Sequence, residues 1–110
     1  MAIPHAQSGQ VVDILPDDGT LPSAQSFALF KSAQLEVIRL VLPAGKAFPL
    51  HRVAGEVTVQ CLSGRLSLSV AGATHELRAG QLMFLEGGVP HGAVGLEDAA
   101  ALLTIVLGKG

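Results

Sequence analysis

Glu56–Leu77 reads EVTVQCLSGRLSLSVAGATHEL. Its opening run, Glu56–Leu62, sets Val57, Val59 and Cys61 against Glu56, Thr58 and Gln60. An extended chain points successive side chains to opposite faces, so this alternation predicts a strand with one apolar and one polar side. Ser63-Gly64 interrupts the pattern, and Arg65–Val70 restarts it with Leu66, Leu68 and Val70 facing away from Ser67 and Ser69. Ala71-Gly72-Ala73 is a tight turn, and Thr74–Leu77 returns as the second arm of a hairpin.

Outward from this block the texture repeats. Towards the C-terminus, Gln81–Leu85 follows Gly80, then come the loop Glu86-Gly87-Gly88-Val89-Pro90 and two further apolar runs, His91–Val94 and Ala99–Leu107. The alanines of the last run also suit a helix, but Thr104-Ile105-Val106 favours a strand. Towards the N-terminus, Leu35–Leu42 (LEVIRLVL) is aliphatic and β-branched and stops at Pro43-Ala44-Gly45, a turn signal. Met83 and Phe84 alternate within their strand and are expected in the core. About eight to ten short strands with no convincing amphipathic helix predict an all-β antiparallel sandwich or barrel. Residues 1–25, with Pro4, Gly9, Pro16, Gly19 and Pro22 among polar residues, read as an irregular arm with one short strand at Val11–Leu15, ahead of a barrel at 26–110.

A chain of 110 residues fits one domain. Hydrophobic residues make up 49% and charged residues 15%, with a mean hydropathy of +0.50. A small barrel cannot bury that much apolar surface internally, so a homodimer is expected, with an outer sheet face packed on a neighbour and the arm of residues 1–25 lying across it. The formal net charge is −2, and Lys31, Arg39, Lys46, Arg52, Arg65, Arg78 and Lys109 are scattered. No basic stripe follows a phosphate backbone, and without Trp or Tyr no aromatic platform stacks on bases, so nucleic acid is not an expected partner. No run approaches the roughly 20 apolar residues of a membrane helix, and no signal-peptide pattern opens the chain, so a cytoplasmic protein with no membrane partner is expected. Cys61 is the single cysteine and reads as a buried, inert thiol.

Two segments resemble the paired motifs of the cupin superfamily, in the form of a small single-domain bacterial member. The family's first motif runs Gly, five residues, His-any-His, three or four residues, Glu, six residues, Gly. Gly45, His51 and Gly64 stand at these places. The second runs Gly, five residues, Pro-any-Gly, two residues, His, three residues, Asn. Gly80, Gly88 and His91 match, whereas Glu86 stands at the proline place and Gly95 at the asparagine place. The resemblance covers about Leu35 to Leu107. It implies a double-stranded β-helix, or jelly-roll barrel.

The same resemblance implies a divalent metal (Fe, Mn, Ni or Zn) held by two histidines and a glutamate from the first motif and a histidine from the second. His51 and His91 match, but Val53 occupies the second histidine place and Val57 the glutamate place, so the ligand set is incomplete. Glu56 is offset from His51 by an odd number of residues and would share its face only if a bulge at Ala54-Gly55 intervened. Failing that, the expected site is a pocket walled by Val53, Val57, Val59 and Cys61 with the two histidines at its mouth. His75 is expected at the surface, Glu86 in a turn-capping or solvated role, and His5 carries no signal. The glycines Gly45, Gly64, Gly72, Gly80, Gly87 and Gly88 read as devices for positive φ, not as a phosphate cradle.

The resemblance leaves three functions open. One is a metal-dependent enzyme (dioxygenase, isomerase or decarboxylase type) acting on a small organic molecule. Another is a metal-free module binding or sensing a small ligand. The third is a degenerate cupin acting as an oligomeric partner.

Overall fold

The most regular strands form where the sequence alternates, and glycine or proline stands in many of the turns between them. The computed structural model describes residues 6–15 and 26–107. Over these residues the chain runs β1 (Phe27–Lys31), β2 (Leu35–Leu42), β3 (Ala47–His51), β4 (Val57–Ser63), β5 (Arg65–Val70), β6 (Ala73–Arg78), β7 (Leu82–Leu85), β8 (His91–Gly95) and β9 (Ala99–Val106). All pairings are antiparallel, in a five-stranded sheet ordered β1-β2-β9-β4-β7 and a four-stranded sheet ordered β3-β8-β5-β6. This is the all-β antiparallel architecture that the strand spacing predicts, in the jelly-roll form that the resemblance implies. Ala99–Val106 is a strand, not a helix, and no helix among the described residues is long and apolar enough to cross a membrane.

The core lies between the sheets. Val57, Val59 and Cys61 of β4, Leu66 and Leu68 of β5, Leu85 of β7 and Leu103 and Ile105 of β9 all belong to it. These are the inward halves of the alternating strands. The two central residues of the β5–β6 hairpin turn, Ala71 and Gly72, have φ of 50° and 88°. Positive φ at both central positions is the backbone of the two-residue turn whose twist matches the flanking strands.

The outward halves differ between the sheets. On the four-stranded sheet the outer face carries Ser67, Ser69, Thr74 and an ion-pair network. Arg65 Nε donates to Glu97 Oε2 at 2.9 Å, while Arg65 Nη1 and Arg78 Nε both donate to Glu76 Oε2 at 3.0 Å. On the five-stranded sheet two rows of side chains cross the full width. One runs Phe30, Val37, Thr104, Thr58, Phe84, and the next Phe27, Arg39, Leu102, Gln60, Leu82. Phe84, expected in the core with Met83, therefore lies on the outer face and is exposed; Met83 alone packs inward. Alternation separates two faces but does not label the wet one when both carry large apolar residues.

Val11–Leu15, expected as a strand, pairs with no sheet. The segment is tied to the edge of the five-stranded sheet, where Ala6 N–H donates to Leu29 O at 2.8 Å. His5 lies outside the described residues, as do residues 16–25 of the expected arm.

Candidate functional site

The two histidines meet across a strand pair. His51 ends β3 and His91 begins β8, and the register places them directly opposite, with Val70 of β5 on the far side of His91. Opposed residues in an antiparallel pair hold their Cβ atoms about 5 Å apart, which brings side chains on one face into contact. The ring centroids are accordingly 4.5 Å apart, with the planes tilted by 57°. Phe48 closes the other side of His51, edge to face at 4.9 Å.

A bulge makes this grouping possible. Phe48 pairs with Ala93 and His51 with His91, so β3 spends three steps where β8 spends two. An extra residue in one strand re-aims the side chains beyond it. Without it, Phe48 and His51, an odd number apart, would face opposite ways. The sequence-based expectation set a bulge at Ala54-Gly55 to turn Glu56 inward; the irregularity falls within Phe48–His51 and turns His51 instead. Pro49 suits the place, because β3 is an edge strand and needs no donor there.

Each ring uses Nδ1 on the backbone. His51 Nδ1 donates to Pro49 O at 3.3 Å and His91 Nδ1 to Val89 O at 3.0 Å. A carbonyl only accepts, so in each of these contacts Nδ1 carries the proton and Nε2 is left for another partner. His91 is the one buried polar or charged side chain among the described residues, at 3% exposure, and His51 is half-buried above it. Phe48, Val53 and Val70 are half-buried and packed against the core around the pair.

Val57, Val59 and Cys61, expected as the pocket wall, are core instead. Their exposures are 2%, 2% and 0%, and all three pack into the cluster between the sheets. Cys61 also lies four residues beyond Val57, about 13 Å along the strand, at the opposite end of the barrel. Its thiol donates to Ser63 O at 3.5 Å, and burial pushes its pKa up, as expected of an inert thiol. Of the expected wall only Val53 stays at the mouth. The loops there meet closely: Gly88 N–H donates to Val53 O at 2.8 Å, and Gly87 lies against the Ala54 carbonyl, where a Cβ would collide. Gly87 serves this close approach and not a positive φ.

Glu56 does not join the histidines. It is exposed, and period two places it with Thr58 and Gln60 on the outer side of β4. Among the described residues no three of His, Cys, Asp and Glu come together to hold a metal ion. A first-row metal site takes about three protein ligands, as in the two-histidine, one-carboxylate arrangement. With valines at the other two motif places, the residues present do not fit one. His75 is exposed, as its position in the hairpin predicts.

The family model described as the cupin domain matches residues 38–107. Nothing among curated proteins matches the chain. A conserved protein of unknown function from Streptococcus pyogenes is 21% identical, with 100% of this chain and 97% of that chain covered and a TM-score of 0.76. An RmlC-like cupin from Desulfovibrio desulfuricans is 20% identical over 84% of this chain and 96% of that one, at a TM-score of 0.71. Salicylate 1,2-dioxygenase from Pseudoaminobacter salicylatoxidans is 15% identical over 73% of this chain but only 24% of its own, at a TM-score of 0.66. At such identities these likenesses speak for the fold alone. Together with the match over residues 38–107 and the two motif histidines facing each other at the barrel mouth, they mean that the chain belongs to the cupin family.

Proposed function

We propose that this cupin binds a small organic acid at the barrel mouth, directly through His51 and His91 and without a metal held by the protein. The reading rests above all on the tautomers. Two imidazoles with ring centroids 4.5 Å apart each commit Nδ1 to a carbonyl and leave Nε2 for something else. A small carboxylic acid is already ionised at pH 7, so such a pair takes up a proton from solvent as the carboxylate binds and then grips it by a charge-assisted hydrogen bond. Phe48, Val53 and Val70 offer the apolar body of the ligand a half-buried surface. Of the three functions the family resemblance leaves open, metal-free binding asks least of the residues present, because it needs two donors and not three.

The test pairs metal analysis with ligand binding. Metal content would be measured on untagged protein, before and after reconstitution with Fe, Mn, Ni and Zn. Calorimetry would then survey a panel of small monocarboxylates in buffers of differing ionisation enthalpy. The expected result is substoichiometric metal, and saturable binding of at least one acid with proton uptake, lost in His51→Ala and His91→Ala. Near-stoichiometric metal in the wild type that both variants lose would overturn the proposal in favour of a metal-dependent enzyme.

A further inference from the structure

We propose that Gly92 is a positioning residue for the histidine pair, because its bare backbone gives the β3 bulge a seat and so turns His51 toward His91. What the pair binds is taken from the carboxylate reading above, whereas how the pair is built follows from β3 and β8 alone. The first ground is the place of Gly92 on its strand. Across from β5, His91 pairs with Val70 and Ala93 with Leu68, whereas Gly92 pairs with Ser69. Gly92 therefore lies on the outer face, in one row with Ser69 and Thr74. Val94, two residues on and on the same face, is 38% exposed, but Gly92 is buried. Something covers the outer face at this one point.

The second ground is the cover itself, which is the bulge. Between the pairs Phe48–Ala93 and His51–His91, β8 has Gly92 alone while β3 has Pro49 and Leu50. A Cβ on residue 92 would lie 3.1 Å from Phe48 O and 3.2 Å from both N and Cα of Leu50. For Leu50 Cα that is closer than the roughly 3.5–4.0 Å at which carbon atoms rest. All three atoms belong to the backbone, which cannot swing aside as a side chain can. Gly92 is not one of the glycines with positive φ, so close approach and not backbone freedom is what asks for glycine here.

The third ground is the register that β3 would adopt without that seat. With one residue facing one, Pro49 would oppose Gly92 and Leu50 would oppose His91, because a strand alternates with a period of two. His51 would then point outward, and Leu50, now 66% exposed, would take the inward place beside the His91 ring. Burying a leucine is favourable, so this register competes with the observed one. It forfeits the contact of the two rings at 4.5 Å, the packing of Phe48 on His51 and the bond from His51 Nδ1 to Pro49 O. A side chain at residue 92 tips the balance, since it opposes only the bulged register. The residue that determines whether the site presents two imidazoles or one is thus neither histidine, and its own contacts are all with β3 backbone.

Nuclear Overhauser contacts in the full chain read the register directly, with dispersed amide signals as the check on folding. In the wild type the His51 and His91 ring protons should show a contact, and the Leu50 methyls none to His91. In Gly92→Val the ring contact should vanish and a contact from the Leu50 methyls to His91 should replace it. Gly92→Ala should fall between the two, and it supplies the same comparison should Gly92→Val not fold. Butyrate and benzoate, as carboxylate probes, should bind Gly92→Val at least about tenfold more weakly than the wild type. Deleting Leu50 removes the extra residue and leaves His51 opposite His91 in a regular strand. In that background Gly92→Val should keep the ring contact, a rescue that a general loss of stability would not give. A folded Gly92→Val with the wild-type ring contact would overturn the proposal, and so would a loss that deleting Leu50 does not restore. If the ring contact follows the expected pattern while the wild type binds neither butyrate nor benzoate, the positioning role is upheld and the carboxylate reading is the one that fails.

Discussion

Between Phe48 and His51, β3 holds one residue more than the β8 segment it pairs with, and that residue determines which side chain reaches His91. The motif offsets made both histidines legible in the sequence, as well as the valines at the other two ligand places. The bulge was not legible, because a two-against-one pairing depends on the partner strand and leaves no mark on the local pattern. Glu56 was a candidate for the same reason: its residue type was right, and only the register shows which way it faces. If the histidine pair is what remains of a four-ligand site, restoring the other two should restore metal binding. Val53→His with Val57→Glu is expected to retain zinc through desalting where the wild type does not, as read by metal analysis. Val57 is deeply buried, so without zinc the same variant should be several kcal/mol less stable than the wild type, since an unpaired carboxylate there has no compensating partner. Failure of a folded double variant to retain zinc would mean that the barrel mouth no longer has the geometry of a metal cradle.

Single strands were legible in proportion to how cleanly they alternate. Leu35–Leu42 and Arg65–Val70 were readable to the residue, and β4 to within one residue at each end, because each buries one face in the core. The strands β1 and β3 were not singled out. Both are edge strands with a bulge or irregularity, and Ala47-Phe48-Pro49-Leu50-His51 has no period of two. Two predictions belong to the β5–β6 hairpin. Ala71 holds a φ of 50°, a conformation that costs an alanine about 1–2 kcal/mol and an asparagine less. Ala71→Asn is therefore expected to stabilise by about 1 kcal/mol, raising Tm by roughly 4–8 °C in a domain of this size. No change, or a fall, in a calorimetric scan would rule out strain at this turn. On the outer side, hydrogen bonds from Arg65 and Arg78 hold Glu76 below its ordinary 4.5. A carboxylate lowered in the folded state adds stability above its unfolded pKa and loses it as pH falls through the folded value. Glu76→Gln should accordingly unfold at lower urea than the wild type at pH 7, with the gap closing below about pH 4 and shrinking in salt. The effect will be modest, because all the partners are solvent-exposed.

For the molecule as a whole, the mean hydropathy of +0.50 signalled more apolar surface than one barrel hides, and the most exposed apolar side chains lie at Val11 and Leu15 of the arm, Leu50 of β3 and Leu82 and Phe84 of β7. Composition could state the excess but not its location, which depends on strand order. The two ends of the barrel are also unlike. At one end Ala99, Ala100 and Ala101 are fully buried, and Gly64 and Gly95 lie tight against the backbone of Asp98, Leu42 and Pro43. At the other, the histidines sit where a bulged five-residue edge strand meets the loops around Val53 and Gly88. The barrel is thus a cup with a stiff base and a soft rim. Amide hydrogens of Leu42 and Ala99–Ala101 should exchange only when the whole domain opens, while those of Phe48–His51 should exchange through small local openings. A guest could then be admitted at the lip by the yielding of a few residues, on a timescale unrelated to the lifetime of the fold.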